Sequence, residues 1–459
     1  MYQTISKGII TSYVVGMFLA VWLGYYNLFA FRSGRFAGGI ISVAVYCYVY
    51  SCLARLYKAF EIGICQIGEV IFSQLLAIGI SDVAAYVECC LIARKYVDVL
   101  PGLLTAAFQV AGVTVWAVYS KQYLIRHVNA SRTLVVYGKE GVEEFVQKLK
   151  QKYSHMFAID ELISSGTEKE TLYAAIDRHD TVIFYEVEYG VRTGTMEYCL
   201  HNHKNLYLTP RITDILFQGF CSSTLVDTPL MQYEYRYLDD RTYRFKRKLD
   251  VAVSLLLLVV FAIPMLVAAA AIKIEDGGPV FFRQRRCTRG GRIFEILKFR
   301  SMVVDAEKDG AVIPCMDQDS RITRTGRILR RYRIDEMPQI FNVLRGEMSI
   351  VGPRPERVEH VREYTKELPE FVYRMRVNGG LTGYAQIFGK YNTSAGDKLK
   401  LDLMYIENQS LLLDLKLIMM TLKIMFLPES TEGFQETQSK KIGKWGQKMP
   451  DMAGKRLYR

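Results

Sequence analysis

The chain has 459 residues, half of them apolar, and a mean hydropathy just above zero. That is too apolar for an ordinary soluble protein, and it excludes global disorder. The formal charge of +12 is unevenly placed: residues 241–459 carry a net +14 and residues 1–240 a net −2, so the second half calls for an anionic partner.

Four apolar segments come first. Residues 8–31, 36–54 and 99–120 are free of Asp, Glu, Lys and Arg, and each is long enough to cross about 30 Å of hydrocarbon as a helix. The segment 70–93 is weaker because Asp82 and Glu88 lie inside it; such acids either face the interior of a bundle or mark a functional site. The first apolar run lacks a small-residue cleavage site, so it reads as a span rather than a cleaved signal. Four spans put Lys7, Arg55, Lys58, Lys121 and Arg126 on one side, a slight positive-inside bias toward a cytoplasmic remainder. The nine cysteines match neither a zinc site nor a redox pair, which favours a reducing compartment.

Residues 132–227 alternate between strand-like and helical runs, the pattern of a parallel α/β sheet. The turn Gly138-Lys-Glu-Gly141 is a weak nucleotide signal, because the third glycine and the ribose-binding acid of a dinucleotide fold are missing. A structural or regulatory module is the other reading. His201 and His203, with no cysteines nearby, read as surface residues.

A fifth apolar segment, 251–272, holds Pro264 near its middle and has basic residues on both flanks, Lys246-Arg247-Lys248 before and Lys273 after. A spanning helix normally shows a charge bias between its ends, and a mid-helix proline removes a hydrogen bond. A helix that enters, breaks at Pro264 and leaves by the same face accounts for this; a kinked fifth span is the alternative. Beyond Pro279 two arginine-rich runs follow: seven basic residues and one acid in 281–300, then six arginines and no acid in 320–333. Arginine favours bidentate contact with phosphate. Nucleic acid is an unsuitable partner so close to a membrane segment. Asp335-Glu336 follow directly, before Met337-Pro338. They read either as a helix cap or as a catalytic pair at a helix N-terminus, with Asp335 ionised as nucleophile toward a phosphate and Glu336 holding Mg²⁺.

Ten motifs in order then carry a resemblance: Lys246-Arg-x-x-Asp250, Gly278-Pro-Val280, Lys298-Phe-Arg-Ser-Met302, Asp319-x-Arg-Ile-Thr323, Leu329-Arg330, Asp335-Glu-x-Pro-Gln339, Asn342-Val-Leu344, Met348-Ser-Ile-Val-Gly-Pro-Arg-Pro355, Leu381-Thr-Gly383 and Asp402-x-x-Tyr405-x-x-Asn408-x-Ser410. Over about 180 residues the chain resembles the bacterial polyprenyl-phosphate glycosyl-1-phosphate transferases, monotopic enzymes that start surface-glycan assembly. The resemblance implies a membrane protein of α plus α/β class. Its parts are four transmembrane helices (1–125), a Rossmann-like module (130–230), a mainly helical catalytic domain (241–430) with a re-entrant helix (249–274), and a basic tail (431–459). It implies attack by Asp335 on the β-phosphate of a nucleoside-diphosphate sugar, a UDP-hexose for preference, and passage of the phosphosugar to polyprenyl phosphate in the bilayer. Glu336 becomes the Mg²⁺-associated residue, Arg330 and Arg354 phosphate ligands, and Lys298, Arg300 and Arg321 substrate or interface contacts. Mg²⁺ is the expected cofactor, the cytoplasmic face of the bacterial inner membrane the location, and a homodimer a further expectation. Three departures from the family pattern, Thr288, Asn378-Gly-Gly380 and Lys390, touch sugar or nucleotide preference more than the reaction. The competing reading from another class is an inert membrane scaffold of a glycan pathway.

Overall fold

The computed structural model describes residues 2–30, 36–127, 129–139, 141–233, 240–304, 319–389 and 393–425, and it forms two compact units, 1–209 and 210–459. The expected basic tail and the departure at Lys390 lie outside the described residues.

In the first unit, α1 (Tyr2–Val21) runs through a π-helical turn (Trp22–Tyr26) into α2 (Asn27–Ala30), and α3 (Phe36–Leu56), α4 (Ile67–Ala93) and α5 (Leu100–His127) follow. These make four helical stretches long and apolar enough to cross a membrane, where the sequence placed its four segments. On the first, the buried residues Ser6, Ile10, Val14, Phe18, Trp22, Tyr26 and Ala30 recur every fourth position, one narrow stripe, while Ile5 and Ile9 are exposed. In lipid that exposure costs nothing, and the stripe carries the polar groups that join helices. Tyr46 and Ser42 of α3 donate to Asp82 and Glu88 of α4, both at 2.7 Å. Gln109 of α5 donates to the Tyr46 hydroxyl at 3.1 Å and to the Val14 carbonyl at 3.0 Å. The two intramembrane acids therefore serve helix association.

The same unit continues with β1 (Ser131–Tyr137), α6 (Val142–Tyr153), β2 (Phe157–Ser164), α7 (Lys169–Arg178), β3 (Thr181–Tyr185), α8 (Tyr189–His201) and β4 (Asn205–Leu208). The four strands pair in parallel in the order β2-β1-β3-β4. Successive strand residues face opposite sides: Leu134, Val136, Val182 and Phe184 pack with α7 and α8 residues, and Val135 and Ile183 with Val142 and Val146 of α6. The Gly138 turn has a packing reason, since a Cβ there would lie 2.6 Å from the Glu186 carbonyl oxygen. His201 and His203 are exposed, as expected.

The second unit opens with α9 (Ile212–Phe217) and the hairpin β5 (Phe220–Leu225) and β6 (Thr228–Tyr233). The sequence assigned residues 210–230 to the α/β module; they belong instead to the second unit, because Ile215 is sealed in its core. There follow α10 (Asp240–Asp276), the antiparallel pair β7 (Phe281–Cys287) and β8 (Ile293–Phe299), α11 (Arg324–Arg331), a 3₁₀ turn (Ile334–Glu336) and α12 (Gln339–Leu344). The chain ends its described course with β9 (Ser349–Val351), α13 (Val358–Glu367), a second 3₁₀ turn (Pro369–Arg376), β10 (Gly380–Thr382), α14 (Tyr384–Phe388), α15 (Ala395–Glu407) and α16 (Leu411–Met425). β9 and β10 pair in parallel. Their loops close so tightly that a Cβ on Gly380 would sit 2.1 Å from the Gly352 nitrogen.

The fifth apolar segment is one helix, α10, with Pro264 inside it; a proline there removes one backbone hydrogen bond and bends a helix without ending it. Both its ends are tied down within this unit. Near its start, Lys246 pairs with Asp414 at 2.6 Å, Arg247 donates to the Val343 and Leu344 carbonyls, and the Asp250 carboxylate accepts from Ser349 and from the Ile350 amide. At its end, Ala268 and Ile272 pack on Phe299 and Leu329, Glu275 accepts from the Arg324 amide at 2.9 Å, and Asp276 pairs with Arg300. Between these anchors Leu255, Leu256, Val259, Val260, Ile263, Leu266 and Val267 are exposed.

Candidate active site

Asp335 and Glu336 do not start an α-helix. They occupy the 3₁₀ turn, which Arg333 enters in the left-handed region (φ 54°), and Pro338 precedes α12. No side-chain cap forms at the 3₁₀ turn or at α12, and the cations that act on the pair are Lys298, Arg330 and Arg354. A strained non-glycine residue beside a reactive pair is a recurrent feature of functional sites. α12 holds the turn against β8 through Asn342, whose side chain accepts from the Leu297 amide at 2.9 Å and donates to the Glu295 carbonyl at 2.8 Å. That side chain takes the place of a neighbouring strand and brings the pair beside Lys298, one residue on from Leu297.

Glu336 is gripped from two sides. Its Oε1 accepts from Lys298 Nζ at 2.8 Å and from Arg354 Nη2 at 2.5 Å, while Oε2 has only a 3.4 Å contact with Arg354 Nη1. Burial works against its ionisation, but the charges and hydrogen bonds of Arg354 and Lys298 outweigh it and hold the carboxyl well below the usual carboxylate range. Asp335 behaves oppositely. Burial and then the Glu336 charge push it up to about 6, against the pull of Lys298, Arg330 and Arg354. Burial also lowers the Lys298 ammonium despite Glu336. The arrangement is one carboxylate tied to two cations beside a second that stays more basic and, among the described residues, makes no hydrogen bond or ion pair. The more basic carboxylate is the better nucleophile.

The other sequence candidates divide. Arg330 lies close enough to influence Asp335, with Nε donating to Ser301 at 2.8 Å. Arg300 is committed to Asp276 at the end of α10, and Arg321 to the buried Asp319 through Nε at 2.9 Å and Nη2 at 2.6 Å. Neither reaches the pair in this conformation. Pro264 stands within α10. Two arginines that sequence reasoning passed over stand here: Arg333, lowered by burial and by Arg354 against the pull of Glu336 and Asp335, and Arg286, which donates to the Pro355 carbonyl at 3.1 Å. The second lay in the Arg-rich run without a motif to single it out. Two of the departures from the family pattern bond to each other, the Gly379 amide donating to Thr288 Oγ1 at 3.1 Å. A proline at 379 would have no N–H to give, so this bond depends on the residue at that position.

Among the described residues no three His, Cys, Asp or Glu side chains cluster as a ready-made metal site. A Mg²⁺ ion asks less, one or two carboxylates completed by substrate oxygens. Glu336 Oε2, contacted only at 3.4 Å, fits that demand as a single ligand.

The sequence pattern of the bacterial sugar transferases matches residues 241–428. The UDP-N-acetylgalactosamine-undecaprenyl-phosphate N-acetylgalactosaminephosphotransferase of Aeromonas hydrophila is 42% identical over 181 residues, 39% of this chain and 43% of that protein. The UDP-glucose:undecaprenyl-phosphate glucose-1-phosphate transferase of Caulobacter vibrioides is 44% identical over 182 residues, 38% of this chain and 67% of the relative. The uncharacterized sugar transferase EpsL of Bacillus subtilis is 36% identical over 192 residues, 42% of this chain and 91% of its own. The chain thus matches less than half the length of the Aeromonas relative and nearly all of the Bacillus one.

Proposed function

As this chain belongs to the bacterial sugar transferase family, we propose that it moves a sugar 1-phosphate from a nucleoside-diphosphate sugar to a polyprenyl phosphate at a membrane surface. The observation that carries the reading is the unequal pair: Asp335, raised to about 6, beside Glu336, held by Lys298 and Arg354. An Asp335 oxygen attacks the β-phosphorus, the bond to the bridging oxygen breaks, and the nucleoside monophosphate leaves with the electron pair. An oxygen of the lipid phosphate then attacks the same phosphorus and releases Asp335. Like charge would repel a carboxylate from a diphosphate, so cations must neutralise the substrate first. Lys298 and Arg354 are the groups to do it, exchanging Glu336 for phosphate oxygens, with Arg330 beside Asp335. Mg²⁺, held by Glu336 and the donor's own oxygens, would supply further neutralisation of the diphosphate. The names of the relatives favour a UDP-sugar donor and undecaprenyl phosphate as acceptor, and hence initiation of a surface polysaccharide.

We read α10 as re-entrant. Its uncharged run 251–272 is long enough to cross about 30 Å of hydrocarbon, but residues near both its ends, Asp250 and Ile272, are anchored on the same folded unit. A helix tethered in this way and bent at Pro264 enters a leaflet and leaves by the same face. The catalytic unit then rests on the cytoplasmic face, where nucleotide sugars are.

The test is release of nucleoside monophosphate from a panel of UDP-sugars, with undecaprenyl phosphate present. Asp335→Asn and Asp335→Ala are expected to abolish release and lipid product while the protein still inserts. Normal turnover by either variant would remove the nucleophile.

A further inference from the structure

Arg374, at the end of the second 3₁₀ turn, is 4% exposed and far from Glu336 in sequence. Its guanidinium is fully committed. Nη2 donates to the Arg354 carbonyl at 2.9 Å; Nε and Nη2 meet Asp402 Oδ2 at 3.0 and 2.7 Å; Nη1 lies 3.7 Å from Glu356; and the plane sits 4.8 Å from the Phe371 ring centroid. Arg286 takes the next carbonyl, that of Pro355, and approaches Glu356 at 3.8 Å. Two buried guanidinium groups therefore hold consecutive carbonyls of the Arg354-Pro355 segment, and both reach the carboxylate that follows it. Prolines on each side of Arg354 restrict the backbone further.

Stability alone is a poor reason for such a network, because buried ion pairs often do no better than apolar packing of the same volume. Function supplies a better one. Arg354 must leave Glu336 and take a phosphate oxygen, a movement of its side chain that demands a fixed backbone beneath it. We propose that Arg374, with Asp402 as its anchor, is a positioning residue that acts through Arg354 by pinning its carbonyl. The inference rests on the reading of Arg354 as a phosphate ligand.

The experiment is a double-mutant cycle on the full-length protein in lipid nanodiscs with Mg²⁺, reading affinity for inorganic pyrophosphate by titration. Arg354→Ala is expected to weaken binding about tenfold, and Arg374→Lys, which keeps the charge but loses the fork, about tenfold as well. In the Arg354→Ala background, Arg374→Lys should change affinity by less than about twofold, since a residue working through Arg354 has nothing left to position. If the two losses multiply, Arg374 has an independent, merely structural effect and the proposal is overturned. If Arg354→Ala leaves affinity unchanged, the phosphate reading of Arg354 fails instead, a distinguishable result. Thermal unfolding of each variant identifies misfolded protein. Should Arg374→Lys not fold, Asp402→Asn replaces it in the cycle, with the same non-additivity expected and the same multiplication overturning it.

Discussion

Asp402 shows what burial does to one residue. It is 1% exposed, paired with Arg374, and still pushed up to about 6 because desolvation exceeds the pull of that arginine. The folded chain therefore keeps a proton on Asp402 between about pH 4 and 6 where the unfolded chain has lost it. Its contribution to stability is full below about pH 4 and is lost as pH rises through 6. Asp402→Asn cannot ionise, so the difference in Tm between wild type and variant should shift toward the variant from pH 4.5 to 7; a constant difference would contradict the raised pKa. At this scale, Asp335-Glu336 and Pro353-Arg-Pro355 stood out in the sequence through the family resemblance, and the fold brings Arg354 onto Glu336. Arg374 was not. Its meaning depends on Arg354 and Asp402, 20 and 28 residues away, and no local pattern announces such partners. Thr288 and Gly379 looked like two separate departures, and the hydrogen bond between them was not legible in the sequence.

Among elements, the apolar segments were the easiest to read, because length and hydropathy are local properties. The 3₁₀ turn at Asp335-Glu336 was not, since Asp-Glu followed closely by proline suits a helix start equally well, and the choice fell to the left-handed Arg333 before it. α10 shows both outcomes. Its apolar content and basic flanks were plain, whereas the anchoring of Asp250 and Ile272 on one folded unit, which favours the re-entrant reading, depends on residues distant in sequence. The topology has a direct readout. In a background with the native cysteines replaced by serine, Lys248→Cys and Ile274→Cys, both at exposed positions, should react equally with a membrane-impermeant maleimide from the side that modifies the catalytic unit. Labelling from opposite sides would make α10 a true span.

At the scale of the molecule, the charge division of +14 and −2 was visible in composition and falls near the boundary between the units, though not on it. Residues 210–233 look like further α/β sequence but work for the transferase unit. Ile215 is fully buried with Val343, Ile350 and Leu403; the Gln218 side chain accepts from Asn408 at 3.2 Å; and Tyr233 accepts from Arg376, which also pairs with Glu407 at 2.6 Å. The Bacillus relative is matched over 91% of its length by 192 residues, 42% of this chain. A chain starting at Pro210 should therefore retain transfer, whereas one starting at Arg241 loses the α9 plug. Removing the Ile215 side chain and its packing should cost about 2–5 kcal/mol, a large part of the stability of most domains. Measured in nanodiscs, the longer truncation should unfold at the higher temperature and keep turnover of the same order as the full chain. Equal stability of the two would mean that α9 and its hairpin belong functionally to the first unit, and inactivity of the longer one that the membrane helices contribute to catalysis.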